Sequence, residues 1–269
     1  MHWILQNNLF NETEWETMVG TLERFKIPYS VHKVIPFIGE LVPEPAPLQS
    51  KVICFGSYSM RHSAKKFGWT PGVYDLFDQN FVIQKSHWGD LMLNYDSEVV
   101  LFKDAVVTED TFIRPIDDSK YFAGKVFSAE EFNEWQVKVC VLKEDYGNSL
   151  TGATLIQLCK PKKIYAEYRF WVVDKEIVTC SLYKRGDRVI YSSEVDQHVK
   201  RFATSVIRHG DITLSMKTFA WQPHRAYVLD VCETPDGMKI VEINTINSSG
   251  FYAGNVQDLV LALEQMEHL

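Results

Sequence analysis

The stretch from Ala226 to Asn247, AYVLDVCETPDGMKIVEINTIN, constrains the fold most, because it spells two apolar strands around a tight turn with acids set inside them. Thr234-Pro235-Asp236-Gly237 suits a type I turn: the proline presets φ at the first central position, and Gly237 accepts the left-handed conformation that follows. A type I turn closed by such a glycine makes a three-residue hairpin loop with a bulge at the glycine. That loop predicts Thr234 opposite Met238, and counting outward sets Asp230 opposite Glu242. Side chains alternate along a strand, so Asn244 shares the face of Glu242. Two carboxylates facing each other across a ladder repel unless a cation lies between them. These acids interrupt the apolar runs Val228, Leu229, Val231 and Ile240, Val241, Ile243, and a buried charge needs a partner. The residues leave two readings. One is a surface hairpin with scattered acids; the other is a divalent-metal site whose hard oxygen ligands leave positions open for phosphate oxygens. The interleaved apolar residues favour the metal.

Composition narrows the class of function. A formal net charge of −7 argues against a protein whose task is to coat nucleic acid. The five cysteines (Cys54, Cys140, Cys159, Cys180, Cys232) are odd in number, lack C-x-x-C spacing and sit mostly in apolar runs, which fits free thiols in a reducing compartment. The start, MHWILQNNLFNE, has no basic region of the kind that opens a signal peptide, and no run reaches the length of a membrane-spanning helix. The expectation is a soluble, cytoplasmic protein without a membrane partner.

Along the chain, residues 2–10 read as a strand, followed by a helix that Asn11 and Glu14 cap and that aligns Trp15, Met18, Val19 and Leu22. Tyr29–Val34 and Lys51–Phe55 continue as strands around a proline-rich connector, giving a small α/β unit. Phe55-Gly56-Ser57-Tyr58-Ser59 is a tight strand-to-helix turn rather than a phosphate-binding motif. From about Leu91 short strands dominate: Glu98–Lys103, Asp110–Arg114, Thr154–Cys159, and a long pair Ile164–Val173 and Ile177–Tyr183 turning at Asp174-Lys175. Ser128-x-x-Glu131 is a capping box opening a helix with Phe132, Trp135 and Val139 on one face. Helices over Val195–Ile207 and Val256–Met266 flank the acidic hairpin.

Three further places offer chemistry. Arg114 ends an apolar strand just before Pro115, where its bidentate fork suits phosphate. The loop beyond it carries Lys120, Gly124 and Lys125, and such a loop closes over a triphosphate and excludes water. Glu167 and Arg169 project from the same strand face, either as a surface ion pair or as ligands for a ribose and a phosphate.

Together FIRP–DDSKYFAG, EYRFWVV and VLDV–VEIN–SSGFY resemble the ATP-grasp superfamily of carboxylate–amine ligases, in particular a clade of small members common in bacteriophages and bacteria. The resemblance implies an α+β fold: two α+β subdomains gripping ATP (91–158 with the phosphate loop, 159–269 with the metal hairpin), preceded by an α/β lobe at 1–90. It also implies that Asp230, Glu242 and Asn244 hold Mg²⁺ (or Mn²⁺) bridging the ATP phosphates, and that Arg114 and Lys120 bind those phosphates. Gln157, Leu158 and Cys159 would meet adenine largely through backbone groups, Glu167 would lie near the ribose, and Arg169 would face the γ-phosphate or an acyl phosphate. Arg114 departs from the family's usual lysine, and Gln157 stands where many relatives carry glutamate. The implied activity is ATP-dependent activation of a small-molecule or peptide carboxylate and its condensation with an amine. Phosphoryl transfer to a small molecule and non-catalytic nucleotide binding are the alternatives, and oligomeric state stays open. A phage-encoded copy would work in the host cytoplasm.

Overall fold

The computed structural model describes residues 1–8, 14–75, 80–117, 122–141, 150–214 and 224–268. Their strands form three sheets. The first uses β1 (His2–Gln6), β2 (Tyr29–Val34), β3 (Leu41–Val42), β4 (Lys51–Phe55) and β5 (Thr70–Gly72) in the order β3-β2-β1-β4-β5, parallel except for β3. Helix α1 (Glu14–Arg24) covers one face through Met18 and Leu22, and α2 (Met60–Phe67) covers the other through Met60 and Ala64. The first strand stops at Gln6, short of the expected 2–10, and the Asn11 cap lies outside the described residues.

Helix α3 (Phe81–Trp88) leads to a four-stranded antiparallel sheet of order β6-β9-β7-β8, made of β6 (Glu98–Leu101), β7 (Thr111–Pro115), β8 (Lys125–Phe127) and β9 (Leu155–Cys159). Helix α4 (Ala129–Val141) packs on it through Phe132 and Val139, opened by the reciprocal capping box: Glu131 N donates to Ser128 Oγ (3.2 Å) and Ser128 N to Glu131 Oε2 (3.1 Å).

The third sheet is antiparallel throughout: β10 (Ala166–Val173), β11 (Glu176–Arg185), β12 (Arg188–Ser192), β13 (Ala226–Thr234) and β14 (Gly237–Thr245), in the order β12-β11-β10-β13-β14. Strand β12 carries no clear signal in the sequence. Alternation along β10 and β13 sorts their side chains onto two faces. Tyr168, Phe170, Val172, Leu229 and Val231 pack against α5 (Gln197–Leu214) through Val199, Ala203 and Val206. Trp171, Val173, Ala226 and Val228 pack the opposite way, against α6 (Val256–His268). That helix also touches the first lobe, so Leu259, Val260 and Leu263 share one core with Trp3, Leu5, Ile53 and Phe55. Each fully buried side chain of this size contributes about 1.5–3 kcal/mol, so α6 is a principal tie between the first lobe and the third sheet.

Two turns refine the sequence reading. Asp174-Lys175 has positive φ at both residues (47° and 66°), the primed hairpin geometry, without the expected glycine. Arg225 holds it with two hydrogen bonds to the Asp174 carboxylate, at 2.6 and 2.7 Å. In the acidic hairpin Gly237 does take positive φ (97°), but Thr234 pairs with Gly237 and Glu233 with Met238, so the loop is two residues long rather than three. Asp230 still faces Glu242, because the register shifts between Asp230 and Val231, where β14 inserts Val241. The extra residue lies beside the acids instead of at the glycine, and a bulge there re-aims the neighbouring side chains.

Candidate active site

A cleft of about 720 Å³ separates the four-stranded sheet from the third sheet. On β7, Ile113 is buried in the core of its own sheet, and alternation turns Phe112 and Arg114 into the cleft. Gly124 lies so close that a Cβ would come within 2.9 Å of Phe112 Cζ and 3.0 Å of Arg114 Cβ. Across the cleft stand Ile164, Glu167, Tyr183, Lys184, Val241 and Glu242.

Asp230 has a cation beside it, an arginine. Arg169 on β10 is the cross-strand neighbour of Asp230, and its Nε and Nη2 donate to the two carboxylate oxygens at 2.8 and 2.7 Å. Both are buried, Asp230 at 1% exposure and Arg169 at 7%. Burial pushes the Asp230 carboxyl up, while the Arg169 charge and hydrogen bonds oppose that rise. Burial lowers Arg169, but Asp230 overrides it and holds the guanidinium above its ordinary value. Tyr252 caps the guanidinium, with Arg169 Cζ 4.8 Å from its ring centre, and Tyr183 stacks on Tyr252 with centroids 5.0 Å apart. Tyr252 sits at φ 51°, a conformation that a bulky residue adopts only where surroundings impose it.

Glu242 is placed differently. Its side chain is 35% exposed; Asn244 Nδ2 donates to its Oε1 at 2.7 Å, and Arg114 Nη1 lies 3.6 Å from its Oε2. Glu242, Asn244 and Arg114 border a small cavity of about 30 Å³ together with Gln84, Asn94 and Gln157. Among the described residues, no three His, Cys, Asp or Glu side chains gather as a metal-binding group. Glu242 and Asn244 fit a Mg²⁺ ion, which takes few protein oxygens and keeps positions for water and phosphate. Asp230 stands opposite Glu242 on the β13–β14 ladder, and both of its oxygens accept from Arg169.

The other expected residues are distributed as follows. Glu167 lines the cleft and accepts from Tyr183 Oη (2.9 Å) and Lys184 Nζ (2.8 Å). Gln157 pairs with Arg114 across the β7–β9 ladder and accepts from Ser97 Oγ at 3.3 Å. Leu158 packs into the core of its own sheet, and its strand is paired on both sides, with Glu98 and with Ile113. Cys159 donates its thiol to Asn94 Oδ1 (3.4 Å). Lys120 lies outside the described residues. Burial raises the Cys159 and Cys180 thiols and pushes Cys54 and Cys232 up to about 12, so none of these four is a thiolate nucleophile.

Sequence reading missed Gln84, Asn94 and Tyr183, and took Asn247 as the start of a small polar loop suited to substrate oxygens. Asn247 is fully buried at the end of β14, where its carboxamide donates to Cys54 O (2.5 Å) and accepts from Tyr74 N (2.8 Å), while its own carbonyl accepts from Gly56 N (2.8 Å). It locks the first lobe onto the acidic hairpin. The signal for it is present in the small polar run Asn247-Ser248-Ser249-Gly250, whose burial no local pattern reveals.

Two antiparallel sheets closing on a cleft, with arginine on one wall and an E-x-N strand on the other, define an ATP-grasp protein. The chain belongs to the ATP-grasp domain family, in the R-two-K clade, family 3, whose model matches residues 58–263. No curated protein matches the sequence. Solved structures share the fold at low identity. D-cycloserine synthetase DcsG matches with TM-score 0.62 and 10% identity, over 99% of each chain. D-alanine–D-alanine ligase from Bacillus anthracis, complexed with ATP, matches with TM-score 0.62 and 12% identity, over 100% of this chain and 98% of that one. The ATP-grasp ligase PsnB, complexed with a phosphomimetic variant of its minimal precursor, Mg and ADP, matches with TM-score 0.55 and 12% identity, over 99% and 98%.

Proposed function

We propose that the chain is an ATP- and Mg²⁺-dependent ligase that converts a small-molecule or peptide carboxylate to an acyl phosphate and passes the acyl group to an amine. The observation that carries this reading is Arg114 on one wall of the cleft, 3.6 Å from Glu242 on the other, with Asn244 bound to that same carboxylate. A cation and an acid with an open coordination face, set across one cleft, are what a metal–triphosphate requires. Glu242 and Asn244 would hold the ion, Mg²⁺ or Mn²⁺, which supplies neutralisation of the charge on the transferred phosphoryl group. Arg114 binds the phosphates from the opposite wall, with Lys120 completing that set, and Phe112 and Val241 border the space for the base. Adenine would meet the chain around Gln157, Leu158 and Cys159, and Glu167, fixed by Tyr183 and Lys184, lies on the ribose side.

Arg169 serves as the anion-stabilising group for the acyl phosphate, with Asp230 fixing its orientation. Asp230, opposite Glu242 on the neighbouring strand, would complete the metal set with Glu242 and Asn244. The acceptor side belongs to the lobe at 1–90, and the raised thiols suit a reducing cytoplasm. The neighbours named as ligases support the class of reaction.

A hydroxylamine trap tests the proposal. Protein, ATP and Mg²⁺ are incubated with a panel of amino acids, hydroxy acids and short peptides, and hydroxamate and ADP are measured. Hydroxamate appearing with ADP in equal amount for at least one carboxylate is the expected result. A phosphorylated product that resists hydroxylamine would replace the ligase with a phosphotransferase.

A further inference from the structure

The segment that follows β14 is anchored on both sides of Tyr252. Ahead of it, buried Phe251 stacks on Phe55 of the first lobe with centroids 5.6 Å apart, and Trp171 Nε1 donates to Ser249 Oγ (3.2 Å). Beyond it, Ala253 N donates to Ser181 Oγ (3.2 Å), Gly254 N to Phe251 O (2.9 Å) and Asn255 N to Thr179 Oγ1 (2.8 Å). Gly254 lies so near Trp171 that a Cβ would come within 2.8 Å of its ring. These anchors hold Tyr252 at φ 51°, a strained conformation for a bulky residue that persists only where the surroundings over-determine it.

The ring held in this way stands where several side chains meet. Arg169 Cζ lies over it at 4.8 Å, Tyr183 stacks on it at 5.0 Å with 23° between the planes, and Tyr191 of β12 lies 5.0 Å away. Tyr183 is itself fixed, since its hydroxyl donates to Glu167 Oε2 (2.9 Å). Asp230 grips the same guanidinium through Nε and Nη2. A guanidinium carries its N–H donors in a rigid planar fork, so this grip occupies one side and leaves the Nη1–Nη2 end to meet an anion. Two parallel hydrogen bonds set the group within its plane; a ring under Cζ limits its tilt out of that plane. The attraction between ring and cation is stronger where both are shielded from water, as at buried Arg169.

We propose that Tyr252 is a positioning residue for Arg169, holding the guanidinium so that its Nη1–Nη2 end meets the acyl phosphate. This rests on reading the cleft as a ligase site. It gives the strained backbone at Tyr252 a purpose that packing alone does not supply.

The test compares wild type, Tyr252→Leu and Tyr252→Phe in the hydroxylamine trap, using the panel carboxylate that gives the most hydroxamate, and repeats the leucine change in an Arg169→Lys background. A misplacement of about 1 Å can cost about a hundredfold in rate, so Tyr252→Leu should lower kcat by about tenfold or more while KM for ATP stays within about twofold. Tyr252→Phe keeps the ring and should run within about threefold of wild type. Residues that act through one another are not additive, so the leucine change should cost less than about twofold once lysine replaces Arg169. Tyr252→Leu at the wild-type rate, Tyr252→Phe as slow as Tyr252→Leu, or an equal loss in the lysine background overturns the assignment and leaves the ligase reading standing. If the lysine background is inactive, leucine against phenylalanine decides. A leucine variant that loses its melting transition shows a purely structural role and overturns the assignment too. A wild type that yields no hydroxamate overturns both.

Discussion

Replacing Arg169 by methionine should cost far more stability than loss of an ordinary ion pair. The two hydrogen bonds to Asp230 measure 2.8 and 2.7 Å, and the pair is buried at 7% and 1% exposure. Removing one partner of a buried pair strands the other charge at a cost of about 3–5 kcal/mol, whereas an apolar replacement of both is often neutral or better. At about 2–4 °C per kcal/mol for a chain of this size, Arg169→Met should melt roughly 6–20 °C below wild type. The double variant Arg169→Met/Asp230→Leu should recover most of that loss.

Acid should relieve the single variant in a characteristic direction. Burial raises the folded-state value of Asp230, and without Arg169 nothing comparable opposes the rise. The folded state then binds a proton that the unfolded chain, with an ordinary carboxyl, has released. Stability falls as pH rises wherever the folded state binds more protons, so the deficit shrinks as pH drops from neutral toward the ordinary carboxylate range. Urea unfolding followed by tryptophan fluorescence at pH 7, 6 and 5 measures it. A loss below about 1 kcal/mol, the scale of an exposed pair, or a deficit that grows on acidification, would refute the account.

Three more outcomes follow from the site and its frame. Glu242→Gln should abolish Mg²⁺-dependent ATP turnover while its melting temperature stays near wild type, since Glu242 is half-open to the cleft; unchanged ADP release would remove the metal assignment. Gly124→Ala drives a methyl group against Phe112 and the Arg114 Cβ, and overpacking of this kind costs about 1–3 kcal/mol. Thermal melts and ATP affinity should both decline, and a variant indistinguishable in both would show that the strand yields freely. Lys175→Gly removes a left-handed non-glycine residue at φ 66°, relieving about 1 kcal/mol less the glycine's extra entropy cost. A small gain in urea midpoint at unchanged slope is expected, and a loss would mean that the Lys175 side chain matters more than its backbone.

The acidic hairpin shows what the chain's local grammar carries. Apolar alternation and turn chemistry mark both strands, and the capping box at Ser128 opens α4 as expected, because such signals depend only on near neighbours. The Val241 bulge has no local signal, and it produces the expected Asp230–Glu242 pairing by a different route. What holds Asp230 is hidden for another reason. That β10 lies beside β13 is a property of strand order, so the acid's partner could not be read from the hairpin. Gln84 stays hidden because α3 is short and lacks a sharp apolar stripe, and its neighbours in the cavity lie far along the chain.

The shared core around α6 divides the molecule mechanically. The first lobe and the third sheet are joined through Trp3, Phe55, Trp171 and Leu263 in one apolar body, with Asn247 as a bolt between them. The four-stranded sheet builds most of its core separately, on Phe102, Phe127, Phe132 and Ile156, and meets the third sheet's core through Val99 and, just past β7, Ile116. A jaw tied by few apolar contacts shifts at lower cost than one fused to its neighbour. Arg114 and Gly124 would therefore ride on the more movable jaw, with Glu242, Asn244 and Arg169 on the anvil. Substrates bound at the fixed side would keep their mutual alignment each time the jaw opens to exchange nucleotide.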